Sequence, residues 1–303
     1  PATLVFQVPP IPTSSIRFIV PLGNLSPPGH ATPTDHIYLY FADPDRGESA
    51  TALRTTVVAP AGGTVQSGAG SETTSPGTEG KISVRVNGTM SYYLDHVVPD
   101  AGIVAGVVLT AGQRLGTTGS SFAVDLGVIN SSLTLTGLAN PSRYISQTVH
   151  MDAPLKYFSD GMRGSLYALV QRVGSDLDGK FDLDQPGRLV GNWFGDQSSS
   201  SVASFALNTY DPSQVRIALS GIGGITDVFA IGANDTPPAA VTPASGRVTY
   251  TLTRNRTGAP CCAGAPSYGQ LLVQMLDTQR IQLEVFAGAP ATTFSGAAIT
   301  LSR

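Results

Sequence analysis

Only four histidines occur in this 303-residue chain, and three of them lie in its first hundred residues. His30 and His36 share one short segment, His96 ends a run that holds two tyrosines, and His150 lies further along. Neutral imidazole binds zinc and similar divalent metals, and it transfers protons near neutral pH. The clustering beside turn and strand signals predicts a site for metal-assisted or acid–base chemistry.

Asp125 is the residue that could complete such a site, because it interrupts a largely apolar strand pattern. A buried carboxylate needs a partner or a metal to offset the cost of losing its water. A catalytic zinc takes three protein ligands and keeps one position open for water. We therefore predict His36, His96 and Asp125 as metal ligands. The alternative is that both histidines are partly buried strand residues that donate to backbone carbonyls.

A second candidate site is a run of alternating carboxylates at Asp176, Asp178, Asp182 and Asp184. Calcium loops place oxygen ligands at alternating positions around a sharp glycine turn. A complete EF-hand would end on an acidic residue, where this chain has Gln185, and would have flanking helices. The segment predicts either a calcium site or an acidic hairpin tip that keeps a sheet edge soluble.

Two adjacent cysteines, Cys261 and Cys262, lie in a turn rich in Gly and Pro. Neighbouring thiols cannot alone supply the four spaced ligands of a structural zinc site. The pair predicts either a strained vicinal disulfide, formed in an oxidising compartment, or two buried thiols.

Composition excludes several classes of function. Charged residues make up 13% of the chain, the net charge is −3, and no basic stripe is present, so nucleic-acid binding is disfavoured. No apolar run approaches the ~18–20 residues of a membrane-spanning helix. Because Pro1 is not an initiator residue, we expect a secretion signal to have been removed, which predicts a secreted or periplasmic protein.

The elements that must position these residues are almost all strands. Short apolar runs bounded by Gly, Pro, Asn or Asp recur throughout, and the one helix expected is residues 153–157 or an extension of it. We predict an all-β protein of two domains, residues 1–147 and residues 148–303. The strand runs that define them are 15–20, 36–41, 55–59, 82–86, 90–96, 102–109, 122–129 and 132–138 in the first domain, and 164–173, 188–194, 202–208, 214–219, 227–231, 246–253, 269–276, 280–286 and 297–301 in the second.

Nine short strands over the second half predict an antiparallel barrel or sandwich. Trp193, the only tryptophan, stands in a Gly-x-Trp motif at a strand start. That motif is similar to the one in calycin barrels, where the tryptophan closes one barrel end, so a calycin-like barrel is one form that this domain could take. Packing in an ordinary core is the alternative reading of Trp193.

The stretch from residue 55 to residue 127 carries a family resemblance. Thr55–Val65 reads TTVVAPAGGTV, residues 109–119 read LTAGQRLGTTG, and between them lies the tyrosine strand that ends at His96. The order of these motifs resembles the lysostaphin-type (LytM-like) zinc metallopeptidases and, more broadly, lipoyl-like β-sandwiches. The resemblance covers about a third of the chain and implies a LytM-like or lipoyl-like sandwich for residues 1–147.

The resemblance transfers the family's site residues unevenly. His36 matches the first zinc-binding histidine, but Tyr40 stands where the family has an aspartate ligand. His96 matches the catalytic histidine of the tyrosine strand. The closing His-x-His motif is replaced by Asp125-Leu126-Gly127, so one zinc ligand is missing from its expected place.

Two functional hypotheses follow. The first is a metal-dependent amide hydrolase that acts on a peptide or a cell-wall glycopeptide, with zinc as the cofactor, His96 and His30 as catalytic residues, and Asp35 or Tyr40 nearby. The second is a non-catalytic binding or structural module of the cell envelope that has kept the fold and lost the zinc peptidase site.

Overall fold

The computed structural model describes residues 4–66, 78–196, 200–256, 265–288 and 290–303. It contains eighteen named strands, one α-helix, and short 3₁₀ turns within these residues. The strands are β1 Phe18–Val20, β2 Ile37–Tyr40, β3 Thr56–Val58, β4 Gly63–Val65, β5 Gly80–Arg85, β6 Met90–Pro99, β7 Val108–Leu109, β8 Arg114–Thr118, β9 Ala123–Asn130, β10 Met151–Asp152, β11 Gly191–Phe194, β12 Val202–Leu207, β13 Val215–Ile222, β14 Ile225–Ala230, β15 Arg247–Arg254, β16 Gly269–Met275, β17 Arg280–Ala287 and β18 Ile299–Ser302; helix α1 is Asp160–Tyr167. The prediction of an all-β protein is confirmed.

The first ten strands form one sheet, in which the main path runs β1-β2-β9-β6-β5-β4-β7. The three strands at its centre, β2, β9 and β6, are antiparallel neighbours, and Asp125 of β9 pairs with Tyr38 on one side and Asp95 on the other. The sheet therefore brings segments that are separated by up to ninety residues into register at Asp125.

Side chains of these central strands alternate between two faces, as the pleat of a strand requires. One face packs into a hydrophobic core with Leu39, Leu94 and Leu126, all nearly inaccessible to solvent. The opposite face presents His36, Tyr38, Tyr93 and Asp125, together with Gly127. We call this second surface the polar face.

Strands β11–β18 form a closed antiparallel barrel in which each strand pairs with the next and β11 pairs with β18. Trp193 of β11 is fully buried in the barrel core, and its indole N–H donates to the Leu189 carbonyl at 2.8 Å. The guanidinium of Arg303 lies 3.9 Å from the centre of the indole ring and donates to the carbonyls of Gln185, Arg188 and Val190. This contact ties the last strand of the barrel to the segment that enters its first strand.

The connection between the two β units packs with the sheet. Met151, Phe158, Leu166 and Phe181 all join the hydrophobic core beneath the sheet, and the first barrel strand begins only at Gly191. Residues 151–181 thus group with the first half by their packing, while the predicted division after residue 147 stays a prediction.

Two predicted strands are wrong. Residues 132–138 form turns and extended chain without a strand, and residues 164–167 of the run 164–173 belong to α1. The helical region expected at 153–157 forms a 3₁₀ turn at Pro154–Tyr157. Hydrophobic runs this short do not separate strand from helix, and here the core beneath the sheet decides.

Cys261 and Cys262 lie outside the described residues, so the vicinal disulfide stays a prediction. Among the residues that the structure describes, no helix is long and apolar enough to cross a membrane.

Replacing Arg303 with methionine should lower the free energy of unfolding by about 2–4 kcal/mol, because three carbonyls of the segment that enters the barrel lose a buried charged donor. Urea titration followed by the fluorescence of Trp193 measures the change. Arg280→Met is the matched control: Arg280 is 59% exposed and pairs with Asp277, so its loss should cost less than about 1 kcal/mol. Equal effects of the two changes would contradict the role of Arg303 in closing the barrel.

Candidate active site on the polar face

His36 and His96 converge on a single carboxylate oxygen. The Nε2 atom of His36 lies 3.3 Å from Oδ2 of Asp125, and the Nε2 atom of His96 lies 3.6 Å from the same oxygen. Asp125 is only 4% exposed and His36 only 7% exposed. The three residues that the sequence predicts as a ligand set are therefore neighbours in the structure.

The backbone of β6 turns His96 toward this group. Up to Asp95 the strand pairs with β9, and from Val97 it pairs with β8. His96 lies at the change of partner with a φ of +63°, a conformation that costs free energy for any residue other than glycine. Strict alternation would point His96 away from Asp125, so the local kink is what places its imidazole at the site.

The Nδ1 atom of each imidazole contacts a carboxylate. The Nδ1 atom of His36 lies 3.0 Å from Asp35 Oδ1, and the Nδ1 atom of His96 lies 3.2 Å from Glu79 Oε2. Such a carboxylate orients a metal-binding histidine and directs its free Nε2 toward the metal. Here both free Nε2 atoms face Asp125.

Glu79 is a site residue that the sequence did not reveal. Its carboxylate accepts hydrogen bonds from Ser120 and Ser121, and the Ser121 hydroxyl also lies 3.1 Å from Nδ1 of His96. Burial alone would raise the pKa of Glu79, but the bonds from both serines lower it to about 2. No motif marks Glu79, because it lies in a loop far from His96 along the chain.

Aromatic rings enclose His36. Tyr38, which follows it by two residues on the same strand face, has its ring centre 5.0 Å from that of His36, and the spacing alone could have identified it. The rings of His30 and Tyr93 lie at 5.1 Å and 6.1 Å. The predicted neighbour Tyr40 instead stacks on Phe18 at 4.4 Å.

The charges at the site are strongly coupled. Burial by itself would lower the pKa of His36, but the carboxylates of Asp125 and Asp35 outweigh it and raise the pKa to about 9. The pKa of His30 is lowered, first by burial and then by the neighbouring charge of His36. Without a metal, His36 is therefore a buried cation between two carboxylates, and His30 is neutral at pH 7.

The ring of Tyr93 occupies the space directly over Gly127 on the polar face. A Cβ atom at Gly127 would lie 2.3 Å from a ring carbon of Tyr93, which is too close for any side chain. Only glycine therefore fits at residue 127 while the Tyr93 ring keeps this position.

Some features of the site fit a metal, although the side chains as placed do not form a complete ligand set. Zinc ligands at ~2.0–2.1 Å in a tetrahedron lie about 3.3–3.4 Å apart, close to the 3.3 Å and 3.6 Å separations at Asp125. Among the described residues, the buried Oδ1 of Asp125 has no hydrogen-bond partner, and the buried Nε2 of His36 has only its 3.3 Å contact with Oδ2 of Asp125. Among the described residues, however, no three His, Cys, Asp or Glu side chains are already arranged as a metal site.

A cleft of about 530 Å³ opens beside these residues. One wall is the polar face, with His36, Lys81 and Tyr93, and the other is the segment Tyr144–Thr148. The ammonium of Lys81 lies 4.5 Å from the centre of the Tyr93 ring and 3.4 Å from a carboxylate oxygen of Asp95. We call this space the site cleft.

The predicted calcium ligands take separate partners. Asp176 pairs with Arg172, Asp178 accepts from the Tyr167 hydroxyl, and Asp182 pairs with Lys180. Asp184 accepts from the backbone N–H groups of Ala139 and Asn192. The four carboxylates as placed satisfy four different neighbours, so calcium binding stays a prediction without support from this geometry.

His150 lies apart from the His36 group. Its Nδ1 atom lies 2.5 Å from the Leu133 carbonyl oxygen, a contact of the kind that a structural histidine makes.

Gly127→Ala should destabilise the protein by about 1–3 kcal/mol, because the new methyl group overlaps the Tyr93 ring. The double change Gly127→Ala/Tyr93→Ala should show a favourable coupling energy, measured by urea unfolding of all four forms. Gly164→Ala is the control, since a Cβ there meets nothing within 4 Å in α1 and should be neutral or stabilising. Additive effects at residues 127 and 93 would contradict the overlap.

Metal-free protein should lose stability as the pH rises from about 7 to about 10. The folded pKa of His36 is raised to about 9, above its ordinary value, so its contribution is complete below pH ~6.5 and disappears as the pH passes the folded pKa. Thermal unfolding with chelator present measures the loss, and His36→Gln should flatten it. A wild-type profile that is already flat from pH 7 to 10 would show that His36 is not a buried cation.

Comparison with known proteins gives no family assignment. No protein-family model matches the chain, and no curated protein matches it. Among solved structures, it is similar to the SpoIIQ–SpoIIIAH pore-forming complex (13% identity, 52% of this chain and 93% of that chain, TM-score 0.34). It is also similar to lysostaphin (11% identity, 99% and 91%, TM-score 0.30) and to Helicobacter pylori Csd3 (16% identity, 43% and 32%, TM-score 0.30). At these scores the similarity carries no argument about the family or activity of this chain.

Proposed function

We propose that this protein binds one divalent transition metal, with zinc as the first candidate, through His36, His96 and Asp125, and that it hydrolyses an amide bond of a peptide. The observation that carries the proposal is the convergence of two Nε2 atoms on one buried carboxylate oxygen. The carboxylates of Asp35 and Glu79 behind the two rings support it, because they present the lone pairs of both histidines to the same point.

Each residue of the site has a distinct role in this proposal. His36, His96 and Asp125 would hold the metal, which acts as a Lewis acid and activates water for attack on a carbonyl. His30 borders the site cleft and, being neutral, can accept a proton from that water. Tyr93 and Tyr144 supply apolar surface on opposite walls of the cleft.

The site cleft favours an extended substrate with both polar and apolar parts. Its described lining residues include tyrosines and hydroxyl side chains, and Lys81 is the one lysine or arginine among them, whereas phosphate recognition ordinarily uses several such side chains. A peptide, or the peptide part of a cell-wall glycopeptide, meets these requirements. We place the protein in a secreted or periplasmic setting, where such a substrate occurs.

A second candidate function is a binding module of the cell envelope without turnover. The contact of Tyr93 with Gly127 favours it, since the ring leaves no room for a side chain, and so for a further metal ligand, at residue 127. The buried His36 cation favours it too, because a proton on His36 offsets part of the charge of Asp125 and Asp35 without any metal. In this case the site cleft would hold a peptide that is not cut.

Protein purified without chelator or affinity histidines should contain about one zinc or similar metal per chain, and His36→Ala/His96→Ala should contain none. Loss of two of the three predicted ligands leaves too few donors to hold an ion. Plasma mass spectrometry measures the ratio.

His150→Ala is the matched control, because it removes an imidazole that lies apart from Asp125, and it should retain the metal. Wild-type protein free of transition metal, even after incubation with zinc, would overturn the first proposal. Chelator-insensitive retention of a cell-wall preparation by that protein would then support the second.

A further inference from the structure

The segment that leads into β2 folds back on itself and carries three residues of the site. Gly23 N–H donates to the Thr34 carbonyl at 2.8 Å, and Thr34 N–H donates to the Asn24 carbonyl at 3.0 Å. Further along, Ser26 and His30 exchange two backbone hydrogen bonds of 2.9 Å each. We call residues 22–36 the site hairpin, since His30 lies on its second arm and Asp35 and His36 end it.

The first arm of the site hairpin rests on the outside of the barrel. The hydroxyl of Thr209 donates to the Leu22 carbonyl at 2.8 Å. Leu25 is buried against the outward side chains of β12, β13 and β14, where its neighbours are Ala206, Ala218 and Val228. The barrel thus provides both a polar and an apolar contact to the arm that is bonded to Thr34 and His30.

Arg216 makes a third contact between the barrel and this arm. It projects from the outer side of β13, is only 1% exposed, and donates to Asn24 Oδ1 at 3.3 Å and to the Asn255 carbonyl at 2.7 Å. Among the described residues, the acceptors of its guanidinium, which include the Arg256 carbonyl, are neutral oxygens. Burying a guanidinium without a carboxylate is costly. The hydrogen bond from Arg216 restrains the side chain of Asn24.

Asn24 passes this restraint directly to the site. Its backbone N–H donates to the Thr34 hydroxyl at 3.1 Å, and its carbonyl accepts from Thr34 N–H. Thr34 is 2% exposed and is followed at once by Asp35 and His36. A displacement of Asn24 would therefore move the carboxylate that orients His36.

The barrel also holds the opposite wall of the site cleft. The Tyr144 hydroxyl accepts from the Asn192 side chain at 2.8 Å, and the Tyr144 ring meets Phe194 of β11 edge to face at 5.5 Å. The guanidinium of Arg143 lies 4.9 Å from the centre of the Phe194 ring. Both walls of the cleft are thus attached to the same barrel.

We propose that the barrel is a positioning element for the polar-face site, and that Arg216 is the positioning residue that fixes His30 and His36 through Asn24. The barrel is then part of the unit that carries the site. The catalytic meaning of this role rests on the proposed function, but the positioning itself does not require a metal.

The test measures the imidazole resonances of metal-free, full-length protein by NMR, together with its affinity for Co²⁺. Only four histidines contribute signals, and His150, which contacts the Leu133 carbonyl, serves as an internal reference. The variants are Arg216→Met, Arg216→Lys and the milder Thr209→Val. Ser267→Ala is the matched control, because the contacts of its hydroxyl among the described residues are with barrel backbone, at Leu252 and Gly269.

We expect Arg216→Met to shift the His30 and His36 signals, leave those of His150 in place, and lower Co²⁺ affinity about tenfold. Thr209→Val should act in the same direction with smaller shifts, Arg216→Lys should restore part of the effect, and Ser267→Ala should change neither quantity. If Arg216→Met does not fold, Thr209→Val carries the test alone.

If the His30 and His36 resonances of both Thr209→Val and Arg216→Met stay at their wild-type positions, the positioning role is overturned, whatever the metal content. Shifted signals in a protein that binds no Co²⁺ would support the positioning role and count against the metal proposal. The two ideas can therefore fail independently.

Discussion

The buried carboxylate of Asp125 is the constraint on which the polar face depends. It lies on the central strand of the sheet and is only 4% exposed, where an uncompensated negative charge would be strongly unfavourable. Two imidazoles approach it, and each is held by a further carboxylate. The group has an excess of negative charge, which a proton on His36 or a divalent cation reduces. Those two ways of reducing it correspond to the two functions that we consider.

The arrangement requires local backbone strain and long-range support together. His96 reaches Asp125 because β6 changes partner at a residue with positive φ. Such strain persists only where the surrounding structure fixes it, and here β8, β9 and the Glu79 carboxylate do so. His36 is fixed from the other side by the site hairpin. Neither histidine is placed by its own strand alone.

The two β units are joined through the site and not by a simple linker. Residues 151–181 complete the core beneath the sheet, and the barrel contacts both walls of the site cleft. The division after residue 147 stays a prediction, and the chain contributes side chains to the sheet core as far as Phe181.

The sequence by itself determined the class of fold and most of the strands. Alternation and turn residues located β12–β17 within a few residues, because period-two patterns and Gly/Pro boundaries are local properties. It also selected His36, His96 and Asp125, since scarce ligands and a carboxylate on an apolar strand are visible without a structure. It could not identify Glu79, Arg216 or the overlap of Tyr93 with Gly127. These depend on strand register and on contacts between segments as distant as Asn24 and Arg216, and only the tertiary structure decides such contacts, because no local pattern records which face meets which.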